Sequence, residues 1–119
     1  MNTKLLGELI GRLLHLVTQA HVRHLGNRSY ARHMALEGVY TALGDLTDTL
    51  CESCQGKYGL LPINAPYVAP TDDLAILQGI ATYLETTSKT LQADDWVQNQ
   101  IQEIQKVIYQ GIYKIRFLA

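Results

Sequence analysis

The chain of 119 residues is short of several things, and each shortage closes a class of function. Only two cysteines are present, Cys51 and Cys54, so no disulfide framework can staple the fold. Their scarcity fits a reducing cytoplasm. No apolar run reaches the roughly 18 residues that cross a bilayer, so no membrane span is expected. The opening stretch MNTKLLGELIGRLLHL is interrupted by Glu8 and Arg12 and reads as a helix rather than a signal peptide. Net charge is -1, and there is no Lys-rich or Arg-rich tail, so strong nucleic-acid binding is not expected. Segments of strand-like alternation, internal repeats and low-complexity runs are also missing. One domain over residues 1–119 is the reading that remains.

What is there is helical periodicity. Hydrophobic residues make up 47% and charged residues 18%, enough apolar material for one buried core. Leu6, Leu9, Ile10, Leu13, Leu14, Val17 and Ala20 recur at three- and four-residue spacing, which predicts a first helix from about Thr3 to His24. Gly26-Asn27 breaks it, and Ser29 is the expected cap of a second helix running to Cys54 or a little beyond, with Gly56 and Gly59 ending it. Leu36, Val39, Leu43, Leu46 and Leu50 are its stripe. All three prolines, at 62, 66 and 70, fall in one extended connector. Thr71 is the expected cap of a third helix carrying Leu74, Leu77, Ile80, Ala81 and Leu84. Asp94 and Asp95 open a fourth, lined by Val97, Ile101, Ile104, Ile108, Ile112, Ile115 and Leu118. The outer connections are short and imply antiparallel neighbours, whereas the middle one could reach about 40 Å when extended. The fold class is therefore all-α, a four-helix bundle with one long crossover between helices 2 and 3.

The residues that carry chemistry are His21, His33, Glu37, Asp48 and Glu52. At about 100° per residue, positions 33, 37, 48 and 52 fall within a sector of roughly 100° on the second helix. One chain cannot gather them around one ion, because Glu37 and Asp48 are about 16 Å apart along the helix, and His33 and Glu52 about 28 Å. The two pairs nevertheless share one midpoint, between Ala42 and Leu43. Two copies packed antiparallel about a two-fold axis there would set His33 opposite Glu52 and Glu37 opposite Asp48, making two equivalent sites per dimer. Gly38, Ala42 and Gly44 are small enough to let the helices approach. A turn through Gly26-Asn27 would bring His21 beside His33. Two imidazoles and three carboxylates suit iron, manganese or zinc. The competing reading of the same symmetry is a polar seam of His–carboxylate ion pairs. His15 and His24 read as structural histidines and Asp45 as a solvated charge. The single Cys-x-x-Cys reads as a pair of small thiols, with zinc or redox chemistry as its alternative.

The pattern His21-x11-His33-x3-Glu37-x10-Asp48-x3-Glu52, with Gly26 in the turn, Tyr40 and the closing Lys114-Ile115-Arg116-Phe117-Leu118, resembles the inter-subunit ferroxidase motif of the Dps-type mini-ferritins. The resemblance covers residues 20–52 closely and the rest in layout. It implies a ferritin-like bundle with iron as the cargo, His21, His33 and Glu37 from one chain and Asp48 and Glu52 from its mate. Fe(II) would be oxidised by peroxide or dioxygen and stored or detoxified in a homo-oligomer, a dimer through helix 2 and from it a dodecameric cage. Val22 stands where the family commonly has Trp, and Ser53 where it has Arg. The short helix between the second and third helices is replaced by the proline connector, and the basic N-terminal extension is missing. The small size is similar to ferritin-like proteins of bacteriophages. A dimeric scaffold without turnover is the alternative.

Overall fold

The structure is a computed structural model and describes residues 1–68 and 72–119. Among them there are four helices and no strand: α1 Thr3–Leu25, α2 Tyr30–Tyr58, α3 Asp73–Thr90 and α4 Asp95–Leu118. No helix among the described residues is long and apolar enough to cross a membrane.

Local chemistry sets the helix ends. The Asn2 side chain accepts from the Leu5 amide at 3.0 Å and starts α1. Gly26 stops it, donating its N–H to the Val22 carbonyl at 3.1 Å. Asn27 then accepts from the Ser29 amide at 3.0 Å, and the Ser29 hydroxyl accepts from the Arg32 amide at 3.2 Å, so Ser29 caps α2 as expected. The second helix runs past Gly56 and ends at Gly59, whose φ of 89° is cheap only for glycine. Asp72 caps α3 by accepting from the Ala75 amide at 3.2 Å. The expected cap, Thr71, lies outside the described residues.

The apolar stripes meet in one core that includes Leu6, Leu13, Leu43, Leu77, Leu84, Ile101 and Ile108. Side-by-side packing joins α1 to α2, α2 to α4, α4 to α3 and α3 to α1, so α1 and α4 are diagonal, as are α2 and α3. Residues 59–68 lie against α1. A Cβ on Gly7 would sit 2.3 Å from the Pro62 carbonyl oxygen, and one on Gly11 3.0 Å from the Ala65 side chain. The Tyr67 ring is edge-on to His15 at 5.8 Å, and the Val68 carbonyl accepts from Gln19. Asp73, at the start of α3, meets Arg23 and Asn27 at the far end of α1. Glycines four residues apart on α1 thus give the connector room to lie close to the helix backbone.

Candidate metal centre

The turn between α1 and α2 sets two imidazoles face to face. His24 is in the last turn of α1 and His33 in the first turns of α2. Their rings stack with centroids 3.6 Å apart and planes 19° apart. Nδ1 of His24 is 2.7 Å from the His33 carbonyl oxygen, and Nδ1 of His33 is 2.8 Å from the His24 carbonyl oxygen. A carbonyl only accepts, so each Nδ1 carries the proton, and in the neutral ring Nε2 keeps a free lone pair. His21, by contrast, lies flat on Tyr40, with centroids 4.2 Å apart and planes 15° apart. Its ring is 6.1 Å from that of His24. The ring against His33 is therefore that of His24, a residue the sequence pattern reads as structural.

Asp73 holds this turn from below. Its carboxylate, 3% exposed, accepts from Arg23, from Asn27 at 2.7 Å and from Arg32 at 3.4 Å. Burial alone would push the carboxyl up. The hydrogen bonds from Arg23 and Asn27, joined by the Arg23 charge and Arg32, outweigh it and hold the group below its ordinary value.

The rest of the predicted ligand set lies further along α2. Glu37 is half-buried, and Asp48 and Glu52 are exposed. Among the described residues none of the three makes an ion pair. The cations of α2 are engaged at its two ends, Arg32 with Asp72 and Asp73, and Lys57 with Asp94. Burial, and then the charges of Asp48 and Glu52, push the Cys51 thiol up. Cys54 is fully buried and is pushed up to about 11 by burial and then by Cys51, so both thiols stay protonated near neutrality. Close to the midpoint of the helix, a Cβ on Gly44 would meet nothing of its own chain within 4 Å.

Within one chain, no three His, Cys, Asp or Glu side chains among the described residues are grouped to hold a metal ion. His33 and Glu37 lie one turn apart, as do Asp48 and Glu52, and these two pairs are separated along α2. A half-open cleft of about 300 Å³ between α1, α3 and the connector is lined by Arg12, His15, Gln19, Ile76 and Tyr83 among others, and none of the five predicted ligands borders it.

A family model described as a family of unknown function, DUF5856, matches residues 24–115, an interval that takes in His24, His33, Glu37, Asp48 and Glu52. No curated protein and no solved structure matches the chain.

Proposed function

We propose, for a chain that belongs to the DUF5856 family of unknown function, a ferritin-like iron-binding protein whose metal site forms between two copies of α2. The observation that carries this reading is the run of carboxylates on α2 that lack a cation of their own. Glu37, Asp48 and Glu52 stand unpaired among the described residues while Arg32 and Lys57 of the same helix are engaged elsewhere. Asp48 and Glu52, one turn apart, repel one another until a cation joins them. The common midpoint of the three carboxylates and His33, and the open space at Gly44, favour a second antiparallel copy as the source of the missing ligands. The path of residues 59–68 along α1, with diagonal pairs α1–α4 and α2–α3, supports the ferritin-like arrangement with one long crossover.

In this reading, His21, His33 and Glu37 of one chain and Asp48 and Glu52 of its mate hold Fe(II), the substrate. Two Fe(II) ions each give one electron to a peroxide, which takes up two protons and leaves as two waters, or four Fe(II) each give one electron to a dioxygen, which takes up four protons and leaves as two waters. The ferric product is stored in, or kept harmless by, a cytoplasmic homo-oligomer, up to a dodecameric cage. Zinc or manganese would be held by the same mixed nitrogen and oxygen donors. The test is aerobic Fe(II) oxidation by the wild-type chain and by a variant carrying His33→Ala with Glu52→Ala. A faster rate in the wild type is expected, and equal rates would sink the ferroxidase claim.

Exposed apolar side chains support a second reading, a ferritin-like dimeric interaction or scaffold protein, phage-encoded and without turnover. Leu25 is 71% exposed, Tyr30 77% and Phe117 65%. Gly111 of α4 packs on Val39 of α2, so the end of α4 shares the end of the bundle that carries Leu25 and Tyr30. Native mass separates the readings: a dodecamer supports storage, and a dimer with no iron turnover supports the scaffold.

A further inference from the structure

We propose that the cleft between α1, α3 and the connector is a binding site for a small organic acid, an apolar body carrying one carboxylate, with Arg12 as the partner of that carboxylate. The site is separate from the proposed metal site on α2, none of whose five ligands borders it. Its volume of about 300 Å³ is that of a small-ligand site. Leu16, Ile76, Ile80 and Val68 make its walls largely apolar, and Arg12 is the one lining residue with a permanent charge. Arg12 and Gln19 both line it from α1, and their seven-residue separation covers about 10 Å of helix. Arg12 lies over the Tyr83 ring of α3, 4.4 Å from its centroid, whereas Gln19 donates to the Val68 carbonyl. A molecule of that length meets a charged group at one end and neutral groups at the other.

The guanidinium is held in place but left short of acceptors. Contact with the Tyr83 ring positions it. Its Nε is buried without a hydrogen-bond partner among the described residues. Its Nη2 is 3.6 Å from the Glu8 carboxylate, beyond a direct hydrogen bond. Nδ1 of His15, which lines the cleft one turn further along α1, is likewise buried and unpartnered among the described residues. Buried polar atoms are nearly always paired, so two exceptions on one wall of one cleft call for a ligand. A carboxylate fits an arginine because its two oxygens accept from two N–H groups at once. Glu8 is the rival for that place. Its pairing with Arg12 is loose and partly exposed, so an incoming anion displaces it at little cost. Gly79 leaves the α3 wall open, since a Cβ there meets nothing within 4 Å.

Calorimetric titration of the full chain with octanoate, octanol and acetate tests the site. Saturable binding of one octanoate per chain is expected. Octanol, without the charge, should bind about tenfold more weakly, and acetate, without the apolar body, should not bind measurably. Arg12→Gln should weaken octanoate about tenfold and leave octanol within about twofold of its wild-type affinity. Glu8→Gln removes the rival anion and should tighten octanoate about threefold. Gly79→Phe places a ring on the open wall and should abolish binding of both molecules, while the loss of a helical glycine favours the helix. No saturable uptake of octanoate by the wild type, octanol binding as tightly as octanoate, or equal octanoate affinity in wild type and Arg12→Gln overturns the assignment. Should Arg12→Gln lose its fold, Gly79→Phe decides: loss of octanoate binding supports the site, and binding retained overturns it.

Discussion

The two halves of α2 are built on opposite terms. In the first turns the polar groups other than Glu37 are engaged: His33 is stacked and hydrogen-bonded, Arg32 is on Asp72 and Asp73, and Ser29 caps the helix. In the second half Asp48 and Glu52 sit one turn apart, exposed, of like charge and without a cation among the described residues. One half is organised within the chain, and the other leaves its carboxylates to solvent. In the proposed function, those carboxylates are the ones a second copy would bring to the histidine end.

The contrast can be broken most severely at Asp73. Asp73→Ala removes the carboxylate on which Arg23, Asn27 and Arg32 converge and leaves partly buried cations unpaired. A loss of about 3 kcal/mol in denaturant unfolding is expected. The same group sets an acid limit. Its folded value is lowered, so its contribution is complete above the ordinary carboxylate value of 3.8 and fades as pH falls from there through the folded value. Asp73→Asn should flatten that part of the stability–pH curve, and an unchanged acid limb would remove Asp73 from its cause.

A smaller effect is expected at the helix midpoint, and there stability and association move in opposite directions. At Gly44→Leu the new Cβ meets nothing of its own chain within 4 Å. Replacing a helical glycine should stabilise the free chain by about 0.5–1 kcal/mol. The larger side chain should nevertheless weaken two-fold association, read as a lower sedimentation coefficient at equal concentration. The smallest effect is at the far end. Glu52→Gln relieves like-charge repulsion with Asp48 and should raise metal-free stability by about 0.3 kcal/mol while lowering Co(II) affinity. A loss of stability instead would mean that Glu52 has a partner within its own fold.

Much of the bundle was legible in the residues. The apolar spacing of Leu6 to Ala20 and of Val97 to Ile115 marks two helices whose buried faces are those residues. Of the two glycines expected to end α2, Gly59 does so and Gly56 does not, because one exposed helical glycine costs only about 1 kcal/mol and the caps decide. At the candidate site, Glu37, Asp48 and Glu52 were legible as a face because a helix fixes their angular spacing. The His24–His33 stack was not, since it depends on how the chain passes through Gly26, Asn27 and Ser29. The close approach of the connector at Gly7 and Gly11 was not read from the sequence, because it depends on where residues 62–65 pass. Asp73 gave no sign, because its partners are more than 40 residues away in sequence.

The strap of residues 59–68 also sets the order in which the molecule loosens. α1 is flanked by α2, by α3 and by the strap, whereas α4 is flanked by α2 and α3. Opening α1 to water therefore means first peeling away the strap or parting two helix contacts, and α4 has one fewer obstacle. In native-state hydrogen exchange the amides of Leu9 to Leu16 should be the last to take up deuterium, with those near the end of α4 among the first. The histidine pair, at the end of the slowest helix, would then be carried on the most persistent part of the fold.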